Sequence, residues 1–387
     1  MISRRLRRKF PVFRVGLGVG TAALALTLAS CVSDGLAPAD RRSRDFLALA
    51  GGSPGDPAPL QVFVASTRNG GGDAEGDGAH YALVSIGVPP SHRAGVIERS
   101  SFGVNDARRD FTVLSRRSLR ESEFLGEMAS GLSGRSGAGR DVLLYVHGYD
   151  ISLDEARFRT AQIVTDTRFQ GVAALFTWDS TGRRGLRAYE GDKESATVAR
   201  DALETALDHV AHVPGVRRVH VLAHSMGAWL AMESLRALAI AGHPDLDGRL
   251  GEVMLAAPDI DLGVFAQQIG RVGPEHVSIF VSSTDRALSV SSHIAGDRPR
   301  LGGLDPSNSG DIRELEALGV RVYDTSRLST DFVGHNSFAE VPVVVEAIGD
   351  LLARSADEAD RGSDAGARPE PAREGNEVAL SPSPRLE

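Results

Sequence analysis

Apolar runs of strand length alternate with segments of helical period along most of the chain, and this alternation restricts the fold more than any other feature. DVLLYVHGY (141–149) is a continuous apolar run of the kind a parallel strand covered on both faces needs. Ser152-Leu153-Asp154-Glu155 follows as a capping-box pattern and predicts a helix to about Phe169. VAALFTW (172–178) leads to a helix over 192–210, where Ala199, Ala202, Leu203, Ala206, Leu207 and Val210 keep the 3,4 spacing. RRVHVLAH (217–224), a helix over 225–242, GEVMLAAP (251–258), HVSIFVSS (276–283), VRVYDTS (320–326) and a closing helix over 341–352 continue the series. Strands linked by helices require right-handed crossovers, so the expected fold is α/β, a mostly parallel, doubly wound sheet with helices on both faces. QVFVAST (61–67) and YALVSIGV (81–88), separated by a Gly-rich turn, predict an antiparallel pair at one edge.

The two ends of the 387 residues do not share this pattern. MISRRLRRKFPVFR is basic, and the apolar run 15–28 that follows is shorter than the roughly 20 residues a membrane span needs, which suits a signal-peptide hydrophobic region. Leu28-Ala29-Ser30-Cys31 resembles the bacterial lipobox and contains the only cysteine. That resemblance implies a signal peptide over 1–30 and lipidation at Cys31, with the mature protein on a membrane surface of the bacterial cell envelope, on the periplasmic side or at the outer membrane. Residues 31–59 read as a flexible tether, 60–354 as the folded domain, and 355–387, containing ADEADRGSDAGARPEPAREGNE, as a disordered tail. A net charge of -8 offers no basic patch, so no nucleic-acid partner is expected.

Sites in such sheets lie past the carboxyl ends of the strands, and chemistry-bearing residues stand at those positions. Ser225 follows RRVHVLAH with no intervening loop and precedes a helix, so the chain must reverse at the serine itself. A turn of this kind strains the serine backbone and needs small residues two positions to either side, here Ala223 and Gly227. The following helix directs free N–H groups toward the hydroxyl oxygen. One oxyanion donor is then the N–H of Met226, and a second has to come from another loop at this end of the sheet. Of 11 histidines, His335 in DFVGHNSF lies between the last strand and the last helix, and flanking Gly334 and Asn336 make a loop able to aim its ring at Ser225; His224 and His293 are the other candidates for a general base. Asp285 in SSTDRAL and Asp259 in APDIDLG each follow a strand and are the two candidates for the orienting acid.

Ala223-His224-Ser225-Met226-Gly227 resembles the nucleophile elbow of the α/β-hydrolase superfamily, with Ala in place of the first glycine, and His147-Gly148-Tyr149 after DVLLYV resembles its oxyanion loop, which implies the N–H or the hydroxyl of Tyr149 as the second donor. The same resemblance implies His335 as the base and favours Asp285 over Asp259 as the acid, and the order Ser225, Asp285, His335 agrees with Ser…Asp/Glu…His. VFVASTRN, VLLYVHGY, FTWDSTG, AHSMG and AAPDID together are similar to a bacterial branch of that superfamily that has no assigned function. The resemblance implies a serine hydrolase cleaving acyl esters, esterase- or lipase-like, with a small acyl-ester or lipid-like substrate. Acyl transfer by the same triad, and a catalytically silent envelope lipoprotein that binds a ligand or partner, are the rival readings. No cofactor is required, and the dispersed histidines contain no HExxH, so no metal is expected. Oligomeric state and acyl length have no signature. The segments 179–191, with Arg183, Arg184 and Arg187, and 296–310 are expected to shape the pocket, the arginines contacting an anionic group or remaining solvated. Trp178 reads as a pocket wall or as core.

Overall fold

Hydrogen bonding joins the expected strands into one sheet. The structure is a computed structural model of the chain and describes residues 56–68, 78–100, 106–180, 182, 185–328 and 335–365. The expected signal peptide, Cys31, the tether as far as residue 55 and the tail beyond residue 365 lie outside these residues.

The chain runs through β1 (Ala58–Ser66), β2 (His80–Val88), β3 (Thr112–Leu119), α1 (Glu121–Leu132), β4 (Val142–Val146), α2 (Leu153–Asp166), β5 (Val172–Thr177), α3 (Leu186–Val198) and α4 (Arg200–Ala211). It continues with β6 (Val219–His224), α5 (Met226–Ala241), β7 (Leu250–Ala256), α6 (Leu262–Val272), β8 (Val277–Val281) and α7 (Arg286–Ile294). α8 (Ser309–Leu318), β9 (Arg321–Asp324), α9 (Ser337–Glu340) and α10 (Pro342–Ala365) complete it. The spatial order is β3-β2-β1-β5-β4-β6-β7-β8-β9, parallel from β1 across to β9, with β2 and β3 antiparallel.

Three local features depart from the sequence expectation. The antiparallel pair β1 and β2 is not the edge, because β3 adds outside it. β3 gave no alternating signal since Ser115, Arg116, Arg117 and Ser118 are all exposed, and such charge on a free edge opposes pairing with another chain. The single helix expected over 192–210 divides at Ala199: α3 buries Asp192 and Ala196, whereas α4 buries Ala202, Leu203, Ala206, Leu207 and Val210. The last helix runs on to Ala365, past residue 352 where it was expected to end.

Two cores lie on opposite faces of the sheet, because alternate strand residues point to opposite sides. Val142, Leu144 and Val146 face α1, α4, α5 and α6, represented by Met128, Leu207, Leu230 and Phe265. Leu143 and Tyr145 face α2, α9 and α10, represented by Ile163, Phe338 and Ile348. The Ser152 hydroxyl accepts from Glu155 N–H at 3.3 Å, so the capping residue opens α2.

The amino ends of β4, β6 and β7 are fastened by a buried polar cluster. Arg217 Nε and Nη2 donate to Asp141 Oδ1 and Oδ2 at 2.8 and 2.6 Å. Glu252 N–H donates to His220 Nδ1 at 2.9 Å, which leaves the ring proton on Nε2, 3.4 Å from Asp141 Oδ2. Burial alone would raise the pKa of Asp141, but hydrogen bonds from His220 and Arg217 outweigh it and hold the carboxyl below its ordinary range. Removing one partner of a buried pair strands the other charge, so Asp141→Ala should lose about 3–5 kcal/mol at neutral pH in urea denaturation. A depressed carboxylate pKa stabilises the fold above the unfolded value of about 3.9 and loses that contribution as the pH falls through the lower folded value. The gap between wild type and variant should therefore narrow in acid.

Candidate active site

The segments that follow the carboxyl ends of β4, β6, β7, β8 and β9 carry His147-Gly148-Tyr149, Ser225-Met226, Asp259, Asp285 and His335 respectively. Ser225 has φ 53° and ψ -121°, a left-handed conformation that costs a non-glycine residue strain and places it at a sharp strand-to-helix turn. The turn is pinned on both sides: Ser225 N–H donates to the Ala256 carbonyl at 2.9 Å, and Asp259 N–H donates to the Ser225 carbonyl at 3.2 Å. A Cβ on Gly227 would clash with the His147 and Val146 carbonyls, so only glycine lets α5 approach the end of β4 so closely. A Cβ on Gly148 would lie 2.9 Å from the Ser225 Cβ. Ala223 is fully buried and fills the position where the motif ordinarily has glycine.

Asp285 and His335 come together. Asp285 Oδ2 is 2.7 Å from His335 Nδ1, and its Oδ1 accepts from Leu288 N–H at 3.0 Å, which caps α7 and fixes the carboxylate. Asp285 is buried and His335 partly so. Asp259, the alternative acid, faces elsewhere. Its Oδ2 accepts from the Tyr189 hydroxyl at 2.8 Å and its Oδ1 from the Ser291 hydroxyl at 2.6 Å, with Arg300 Nε at 3.2 Å. Asp261 caps α6 through Val264 N–H at 3.1 Å.

His224 is the residue that sequence reasoning undervalued. Its Nε2–H donates to the backbone carbonyl of His335 at 3.0 Å, and its ring packs 4.6 Å from the His335 ring and 4.5 Å from Phe338. Burial and the neighbouring His335 lower its pKa well below the ordinary value, so the ring is neutral. Two contacts from α2 hold α9 just beyond: Gln162 Nε2 donates to the Ala339 carbonyl at 2.8 Å, and Arg159 Nη2 to Glu340 Oε1 at 3.1 Å.

His147 turns inward rather than toward Ser225. It is fully buried and stacks on Trp178, with centroids 5.1 Å apart and planes 14° from parallel. Trp178 is thereby core, and its Nε1–H donates to the His147 carbonyl at 2.9 Å. His147 Nε2 accepts from Trp178 N–H at 3.3 Å and from Arg68 Nη2 at 3.2 Å, so the ring proton is on Nδ1, which donates to the Gly148 carbonyl at 2.9 Å. Arg68 also donates from Nη2 to the Ile151 carbonyl at 2.6 Å, from Nη1 to the Ser180 carbonyl at 2.8 Å and from Nε to Thr177 Oγ1 at 2.7 Å. One guanidinium thus ties together the loops after β1, β4 and β5. A cation directly behind the buried strand VFVAS was the signal that could have revealed it.

The Tyr149 hydroxyl is engaged at Gly185, accepting from its N–H at 3.0 Å, while its ring meets Tyr189 edge-on at 5.6 Å. A pocket of about 70 Å3 opens beside Met226 between α3, α5 and the start of α6, lined by Tyr189, Lys193, Trp229 and Arg300. The segment 296–310 contributes Arg300, and Leu301 behind it is fully buried. Arg187 is exposed, and Arg183 and Arg184 lie outside the described residues. Among the described residues no cluster of histidine and acidic side chains is arranged to hold a metal ion.

Residues 127–354 match a family described as an alpha/beta hydrolase of unknown function (DUF900). No curated protein matches the chain. Similar solved structures include an esterase of the hyperthermophilic archaeon Pyrobaculum calidifontis, at 12% identity and a TM-score of 0.38, covering 79% of this chain and 87% of that one. Brefeldin A esterase, a bacterial homologue of human hormone-sensitive lipase, shows 14% identity and a TM-score of 0.37 over 79% of this chain and 78% of that one. A thermostable carboxylesterase cloned from a metagenomic library shows 13% identity and a TM-score of 0.34 over 83% and 94%.

The geometry around His147 makes a direct prediction. Burial first, and Arg68 second, push its pKa down to about 3. In a 15N–1H correlation spectrum at pH 5, the His147 ring should remain in the neutral Nδ1–H form while solvated histidines have charged. An imidazolium signal from His147 at that pH would contradict the arrangement.

Proposed function

This chain belongs to the α/β-hydrolase family DUF900, and from that premise we propose that it is a serine hydrolase that cleaves acyl esters. The observation that carries the reading is the 2.7 Å contact between His335 Nδ1 and Asp285 Oδ2, on loops at the same end of the sheet as the strained Ser225. With the Nδ1 proton directed at the carboxylate, the Nε2 lone pair is left to take a proton.

In the proposed reaction His335 Nε2 removes the Ser225 proton as Oγ attacks the ester carbonyl carbon, and Asp285 stabilises the resulting imidazolium. The carbonyl electrons move onto oxygen, where the N–H of Met226 and that of Tyr149 receive them. As the first residue of α5, Met226 has no acceptor for its N–H within the helix, and the helix N-terminus favours the negative charge. The engagement of the Tyr149 hydroxyl at Gly185 supports its backbone N–H as the second donor. Collapse of the intermediate expels the alkoxide, which takes the proton from His335, and a water activated by the same ring then releases the acid. The basic leader and Cys31 support a lipid-anchored address in a bacterial envelope. Among the described residues no helix is long and apolar enough to cross a membrane.

A fluorophosphonate probe tests the reading on the full chain, with intact and peptide mass as the readout. One adduct on Ser225 is expected, absent in Ser225→Ala. His335→Ala and Asp285→Asn should each slow labelling about a thousandfold, since removing a triad member typically costs this much or more, and Asp259→Asn far less. Labelling of the Ser225→Ala protein at the wild-type rate, or equal effects of the two Asp substitutions, would sink this assignment.

A further inference from the structure

The pocket beside Met226 carries a chemical preference of its own. On the hydrolase reading given above, we propose that it binds an anionic group at the end of the substrate's acyl arm, making the substrate an acidic ester rather than a neutral lipid ester.

Direction comes first. His335 must face the leaving alcohol in order to protonate it, and its neighbours His224 and Phe338 stand with the core on the α2, α9 and α10 side of the sheet. Met226, Tyr189 and Trp229 belong to the core on the opposite side. An ester carbonyl held by Met226 N–H therefore sends its alcohol arm toward His335 and its acyl arm toward the pocket. The Tyr189 ring against Tyr149 closes the near wall.

Charge and size follow. Both carboxylates on the lining are already paired: Asp259 with Arg300 and, by hydrogen bonds, with two hydroxyls, Asp261 with Arg298 Nε at 2.8 Å and with the N–H it caps in α6. Lys193, exposed at the mouth and with no ion pair among the described residues, lines the same pocket and leaves a net positive charge there. Arg300 is only 8% exposed, and its Nε lies 3.2 Å from Asp259 Oδ1 without hydrogen-bond alignment, so this buried donor has no hydrogen-bond partner. An unfilled buried donor beside an unpaired ammonium calls for an acceptor with negative charge. A volume of about 70 Å3, against about 10–15 Å3 for one water on the same scale, takes a carboxylate or phosphate with a short spacer but not a long acyl chain. The Trp229 ring and Met226 would cover the spacer's methylenes.

The test compares mono-4-nitrophenyl adipate with 4-nitrophenyl hexanoate on the full chain at fixed ionic strength, the two esters sharing chain length and leaving group. The adipate ester should be favoured at least about tenfold in kcat/KM, mainly through KM, as one charged hydrogen bond allows. Lys193→Met should erase the preference and Lys193→Arg should retain it. Equal rates, or a preference that survives Lys193→Met, overturn the proposal, as does selective turnover of a choline ester. If Ser225 is not labelled and neither ester is cleaved, the hydrolase reading has failed separately, and binding then decides the pocket. Trp178 is fully buried, so Trp229 fluorescence reports on the pocket. A saturable response to adipate that disappears in Lys193→Met and in Trp229→Phe sustains the anion site; no response overturns it.

Discussion

The close approach of two backbones organises this end of the molecule. The His147 carbonyl lies where a Cβ on residue 227 would have to be, and Gly148 runs beside the Ser225 Cβ. Because α5 can press onto the end of β4 only through Gly227, the strained turn at Ser225 is held from behind as well as by its bonds to Ala256 and Asp259. Strain of this kind costs of order 1–3 kcal/mol and persists only where the surroundings fix it. Here strand ends supply that constraint, and the loop carrying Tyr149 comes with them.

A second layer of contacts holds the imidazole. Asp285 is fixed by its capping bond to Leu288, and His335 is held on its other side by His224, which bonds its backbone carbonyl and packs against its ring. His224 is thus a positioning residue: as the neighbour of Ser225 it couples the last residue of β6 to the loop beyond β9. Arg68 does similar work below the other half of the site, where a single cation satisfies carbonyls from the loops after β4 and β5 that would otherwise be buried without donors.

Much of this was legible in the residues. The parallel strands and the elbow declared themselves because continuous apolar runs and the small-x-Ser-x-small spacing each have one cheap structural solution. Asp285 and Asp259 could not be separated from spacing alone: both follow a strand and precede a helix. What distinguishes them is a through-space contact: Asp285 reaches the ring of His335, 50 residues further along the chain, whereas Asp259 faces Tyr189, Ser291 and Arg300. β3 escaped notice because an edge strand solvated on both faces has no alternation to read. Arg68 and His224 escaped because their partners are backbone carbonyls on distant loops, and a carbonyl leaves no mark in the sequence.

β4 and β6 are hydrogen-bonded neighbours, register-matched up to Val146 and Ala223. The strands that lead into Ser225 and toward Tyr149 are therefore adjacent rails held about 4.8 Å apart by the ladder between them. The spacing of those two strand ends is a property of the sheet rather than of any loop. A ligand entering here meets two strand ends of fixed separation, and any accommodation must come from the ligand or from the loops and helices beyond them.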